Sequence, residues 1–232
     1  MAARLTERRI SFHAIALAVL VCGLEFLFFL GDSALFRTEG NISWRQRAII
    51  DFGVWSNAVE FSLGQGGTRP ADLVRFLAHP LIHRTTLDAL LSGTFILVAF
   101  RVLEGTARDF TLVLTFVGSA VAGASCFFLI SGSQYPLTGA SAGYLGLFGF
   151  ATAALVMMGA ATGRSMDRIA RTIIVIPLLF LGIELVIGML IGGTGRWVAD
   201  LGGYLAGFLV APPLMGARYA VLIDGIAGML RK

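Results

Sequence analysis

Between residues 12 and 217 the chain is divided into runs of about 20 mostly apolar residues, the length that crosses roughly 30 Å of hydrocarbon, separated by short charged links. This repeated length points to the bilayer as the solvent. Composition agrees: 56% of the residues are hydrophobic and 14% charged, with a mean hydropathy of +0.82. That is too little charge to cover a soluble globule of 232 residues. The expected fold class is therefore all-α, a polytopic membrane protein of six transmembrane helices forming a single membrane domain over residues 1–232.

The spans fall at about 12–31, 81–100, 110–131, 140–160, 172–192 and 198–217. The first follows a short tail, residues 1–11, with Arg4, Arg8 and Arg9. It is long and shows no small-residue cleavage site, so it reads as a retained helix rather than a signal peptide. Residues 32–78 form a long polar connection with Trp44, Arg45, Trp55 and a glycine-rich turn at Gly64, Gly66 and Gly67. A connection of that length has a function of its own or packs on the membrane surface.

Six spans put both ends of the chain on one side. If that side is cytoplasmic it holds Arg4, Arg8, Arg9, Arg101, Arg108, Arg164, Arg168, Arg171, Arg218, Arg231 and Lys232, eleven of the 18 basic residues. The other side holds seven, six of them between Arg37 and Arg84. The positive-inside rule thus expects cytoplasmic termini, an outer-face loop at 32–78 and residence in an inner or plasma membrane. The net charge of +4 is explained by these helix-end arginines. No basic stripe interleaved with aromatics indicates nucleic acid. Cys22 and Cys126 lie within apolar runs and are expected to pack as small hydrophobes.

Small residues recur at helix-packing spacing in the fourth span (Gly139, Ala142, Gly143, Gly146, Gly149) and the sixth (Ala199, Gly203, Gly207). Such faces let backbones approach closely in lipid, so these spans are expected to pack together. Ionisable groups inside a membrane cost about 2.5–3.5 kcal/mol or more, and each asks for a reason. Glu25, Asp88, Glu184 and Asp200 are the carboxylates concerned, with His79 and His83 at the entrance of the second span, four apart and so on one helical face. Ser141 opens the fourth span within Gly139-Ala140-Ser141-Ala142-Gly143; on local sequence alone it reads first as a cap or a packing residue.

From Arg75 to Gly207 the order and spacing of these residues resemble the rhomboid intramembrane proteases. Arg75 stands where the family has an arginine before span two, His79 and His83 match the first histidines of that span, and Glu104 falls at the family's glutamate. Gly139-Ala140-Ser141 matches the nucleophile motif, with Gly149 eight residues on, and Ala199-Asp200-Leu201-Gly202-Gly203 matches the motif heading span six. The resemblance implies a six-helix rhomboid-like core over 75–217 with Ser141 as the nucleophile. Where the family pairs that serine with a span-six histidine, and supports the oxyanion with a histidine and an asparagine from span two, this chain has Asp200, Asp88 and Ser92. Val74 and Ala142 replace a tryptophan and a glycine of the pattern.

A carboxylate near its reference pKa of about 3.9 is a much weaker base than an imidazole near 6.5, and an ionised Asp88 would repel an oxyanion. The expected function is therefore a non-catalytic client-binding protein or a subunit of a membrane complex. Its partners would be lipids and transmembrane segments of other proteins. The alternative is an active intramembrane serine protease in which Asp200 replaces the histidine, with Asp88 and Asp200 sharing a proton across the core. A transporter would show inverted repeats and paired broken helices, which the sequence lacks. No cofactor is expected, and a metal site built from His79, His83 and an aspartate is a minor reading beside a hydrogen-bonded histidine pair.

Overall fold

In the computed structural model, residues 10–32, 42–56, 70–162, 168–191 and 194–215 are described. Arg4, Arg8, Arg9, Arg37, Gly64, Gly66, Gly67, Gly163, Arg164, Gly192, Arg218, Arg231 and Lys232 lie outside them. The described chain is helical: α1 (Phe12–Gly31), α2 (Trp44–Phe52), α3 (Pro70–Ala78), a 3-10 turn (His79–Leu81), α4 (Thr86–Val102), α5 (Asp109–Ile130), α6 (Ser141–Thr162), α7 (Arg168–Ile191) and α8 (Arg196–Leu214). Five helices among the described residues are long and apolar enough to cross a membrane, or six if the bent pair Asp72–Leu81 and Thr86–Val102 forms one span.

That bent pair corrects the straight second span expected at 81–100. Its two parts meet at 83°. Pro80 sits inside the 3-10 turn, where its ring and missing N–H prevent the preceding helix from continuing. The chain then extends through Ile82 to Thr85, whose hydroxyl accepts from the Asp88 N–H at 3.2 Å and starts α4 afresh. His79 opens the 3-10 turn and His83 lies in the extended link that follows it, so the two share no helical face.

Helix α6 is the centre of the bundle, with 72% of its span buried against 11% for α7. It packs on α8 as the small-residue spacing leads one to expect. A Cβ on Gly203 would meet the carbonyl of Ala142, and one on Gly207 the carbonyl of Gly146. Between lipid-soluble helices the drive to associate comes from such close packing and from interhelical hydrogen bonds. One of these runs from the Tyr204 hydroxyl to Thr152 Oγ1 at 2.8 Å.

Within the 32–78 connection, α2 opens with a capping box formed by Ser43 and Gln46. Arg75 on α3 closes its other end, donating from Nη1 to the carbonyls of Ile50 (2.9 Å) and Gly53 (3.0 Å). An antiparallel bridge between Val54 and Leu137 then ties this region to the loop before α6. Glu25, buried in α1, is held by Arg45 at 2.6 and 2.8 Å and by the Thr86 hydroxyl at 2.7 Å. Arg45 also donates to the His83 carbonyl at 3.1 Å and to Asp32 at 3.2 Å. Hydrogen bonding to Glu25 holds the Arg45 guanidinium above its ordinary pKa, against the burial that lowers it. Glu25 is thus accounted for as a paired structural charge, and the pair anchors the segment that carries His83.

Candidate active site

Ser141 is the first residue of α6 and is 1% exposed. The approach to it depends on Gly139, whose φ of +100° is one that side chains rarely adopt. The Gly139 N–H donates to the His79 carbonyl at 3.0 Å. A Cβ there would come within 3.3 Å of both Asp88 Oδ2 and Arg196 Nη2. Gly139 and the fully buried Ala140 therefore let the loop pass directly beneath a charged pair.

Arg196 organises that pair. It is the first residue of α8, set by Gly195 at φ +70°. Its Nε donates to Ser141 Oγ at 3.1 Å and stands 3.7 Å from Asp200 Oδ2, while its Nη2 donates to Asp88 Oδ1 at 3.4 Å. Asp88 and Asp200 are both ion-paired to this one guanidinium. Asp200 is fully buried and faces Arg196, Ser141 and Glu184, the last approaching from α7 with Oε2 buried.

The two histidines sit close by but do not reach the serine. His79 Nδ1 lies 3.1 Å from the Phe76 carbonyl, so that nitrogen carries the donated proton and Nε2 is left buried without a partner. His83 is fully buried and both ring nitrogens lack a partner among the described residues. Ser92, one helical turn beyond Asp88 on α4, is 1% exposed with its hydroxyl unpartnered. Glu104 lies at the other end of α4, exposed and paired with Arg101. Among the described residues no group of three or more His, Cys, Asp or Glu is placed to hold a metal ion.

The residue that sequence reasoning missed is Arg196, which entered only as one basic charge on the outer side. Its signal was the four-residue spacing to Asp200, which puts a cation and an anion on one helical face. Chemically the site offers a hydroxyl that accepts a hydrogen bond from a permanently protonated group, and a carboxylate that is ion-paired to the same group. An apolar cleft of about 330 Å³ between α4, α6 and α7 adjoins it, with Tyr144 in its wall.

The family model described as Rhomboid domain matches residues 70–217 of this chain. No curated protein and no solved structure gives a significant match.

Proposed function

The chain belongs to the rhomboid family, and on that premise we propose that it is a non-catalytic member, an integral membrane protein that binds transmembrane segments of client proteins, alone or as a subunit of a complex. One observation carries the reading: the hydrogen bond at Ser141 Oγ comes from Arg196 at 3.1 Å. Arginine has no acceptor atom and stays protonated in proteins, so it cannot take the proton a serine must lose to become a nucleophile. Asp200 is the other candidate base. It is fully buried and stands 3.7 Å from the same guanidinium. Support for client binding comes from the apolar cleft beside the site, open between α4 and the lightly packed α7. Cytoplasmic termini, and Ser141 near the outer leaflet, belong to the same proposal and rest on the distribution of basic residues.

A second reading keeps Ser141 as a nucleophile with Asp200 as its base. It is favoured by Asp200, which faces Ser141 as a hydrogen-bonding neighbour, and by Arg196, which could stabilise a developing oxyanion. The two readings part in one experiment. Purified protein in proteoliposomes is given a permissive transmembrane substrate and, separately, a serine-directed fluorophosphonate. The non-catalytic reading expects neither cleavage nor labelling of Ser141. Cleavage that is absent in Ser141→Ala establishes the second reading.

A further inference from the structure

Two grooves meet at the end of the bundle where α1 begins, α4 ends and α5 begins, and they share one ridge. The first is the apolar cleft beside Tyr144, which reaches this end between residues 94–102 of α4 and 172–180 of α7. The second, of about 410 Å³, runs along α4 past Leu97 and Phe100 to Ile10 and Ser11 at the start of α1. Val98 and Val102 line both, four apart on one face of α4, and form the ridge between them. Val98 and Ile176 are exposed, so the grooves open on the outside of the bundle, where hydrocarbon surrounds it.

Charge enters only at the rim. Arg101, Glu104 and Asp109 line the second groove, and Arg171 lines a depression that joins the cleft through Thr172 and Ile176. Each of the four stands at or just beyond the end of an apolar span, the level at which acyl chains give way to headgroups. Arg101 and Glu104 pair with each other at exposed positions. Such a pair is worth about 0–1 kcal/mol, so a charged ligand can take up both partners. Asp109 accepts from the Ser11 hydroxyl at 2.6 Å and has His13 at 4.0 Å. The lining thus offers two guanidiniums and two carboxylates over two apolar grooves. Lipid tails are as apolar as leucine, so a groove in hydrocarbon holds a tail without choosing between lipids. Choice falls to the headgroup. A guanidinium matches a phosphate, and a carboxylate matches a primary ammonium with its three N–H donors. A choline head has the charge without those donors, and a glycerol head has no cation for Glu104 and Asp109.

We propose that this end of the bundle binds one aminophospholipid of the phosphatidylethanolamine class astride the ridge of Val98 and Val102. One acyl chain lies in each groove, the phosphate meets Arg101 and Arg171, and the ammonium meets Glu104 and Asp109. The chain in the cleft fills the space between α4 and α7 when no client helix does. The site stands on its own lining residues and not on the client-binding reading.

The test uses the full chain in detergent, given phosphatidylethanolamine, phosphatidylglycerol or phosphatidylcholine with identical acyl chains, and retention is read by native mass spectrometry. One phosphatidylethanolamine is expected to stay bound, with an affinity about tenfold above that of either other lipid. Arg101→Gln and Glu104→Gln, both at exposed positions where the fold tolerates change, are expected to remove that preference. A phosphatidylethanolamine carrying a diazirine on one chain locates the site independently, with its label expected on residues 97–102 of α4 or 172–176 of α7. Equal retention of the three lipids, a preference for phosphatidylglycerol, or a preference that survives both substitutions overturns the proposal. So does a label found only on other helices. No client is present in these measurements, so neither result bears on client binding.

Discussion

The Nε of Arg196 stands 3.1 Å from Ser141 Oγ and 3.7 Å from Asp200 Oδ2, so one guanidinium serves both the serine and the buried carboxylate one turn into α8. Removing it leaves Asp200 buried without its ion-pair partner. Arg196→Gln should cost about 2–3 kcal/mol, less than a fully unpaired buried charge because Asp200 can take up a proton. Adding Asp200→Asn should recover much of that loss. Thermal unfolding of the single and double variants checks this as a cycle, and strictly additive effects would contradict the contact.

The Glu25–Arg45 pair should behave as a brace. Arg45→Met leaves Glu25 buried without its ion-pair partner, with only the Thr86 hydroxyl to donate to it, and frees the carbonyl of His83, at a cost of about 3–5 kcal/mol. The double change to Glu25→Leu and Arg45→Met should be milder than the single one. The raised pKa of Arg45 fixes the sign of its pH dependence. Stability from that group is fully present below its unfolded value and is lost only as pH rises through the higher folded value. Its contribution should therefore be flat between about pH 7 and 10, read from melting temperatures of wild type and Arg45→Met across that range.

Glycine substitutions should separate by position. In Gly207→Ala the new methyl meets the carbonyl of Gly146 on a neighbouring backbone that cannot swing away, and overpacking of this kind costs about 1–3 kcal/mol. Gly118→Ala and Gly182→Ala meet nothing within 4 Å. They should be neutral, or stabilising by up to about 1 kcal/mol through the better helix former. A melting-temperature comparison of the three checks the α6–α8 interface.

The helical spans and the α6–α8 contact could be read from apolar run length and from small residues at fixed spacing, because those patterns are themselves the physical cause of the packing. Two things could not. The 83° bend before α4 depends on Pro80 and on the cap at Thr85; an average over an apolar window does not register either. Arg196 counted as a topology signal because it lies at a helix end, and its role follows from Gly195 and Gly139 bringing two loops together, a tertiary fact. Glu25 carried the opposite lesson. Its position within a span marked it as functional, yet its partner Arg45 comes from a surface helix 20 residues on.

The proposed orientation in the membrane rests on the arginine count and is open to cysteine labelling. With Cys22 and Cys126 replaced, Ser133→Cys should react with an impermeant maleimide from the outer face, and Thr106→Cys only after the membrane is opened. The reverse pattern would invert the topology and move Ser141 to the inner leaflet.

Cleavage itself is the most direct measurement. Wild-type protein and Ser141→Ala are reconstituted side by side with a permissive transmembrane substrate, and product is quantified after long incubation at neutral pH. With Arg196 as the donor to Ser141 and no imidazole in reach of its hydroxyl, product from the wild type should not exceed that from Ser141→Ala. Product that forms with the wild type and vanishes in Ser141→Ala would contradict the account and make Asp200 the base.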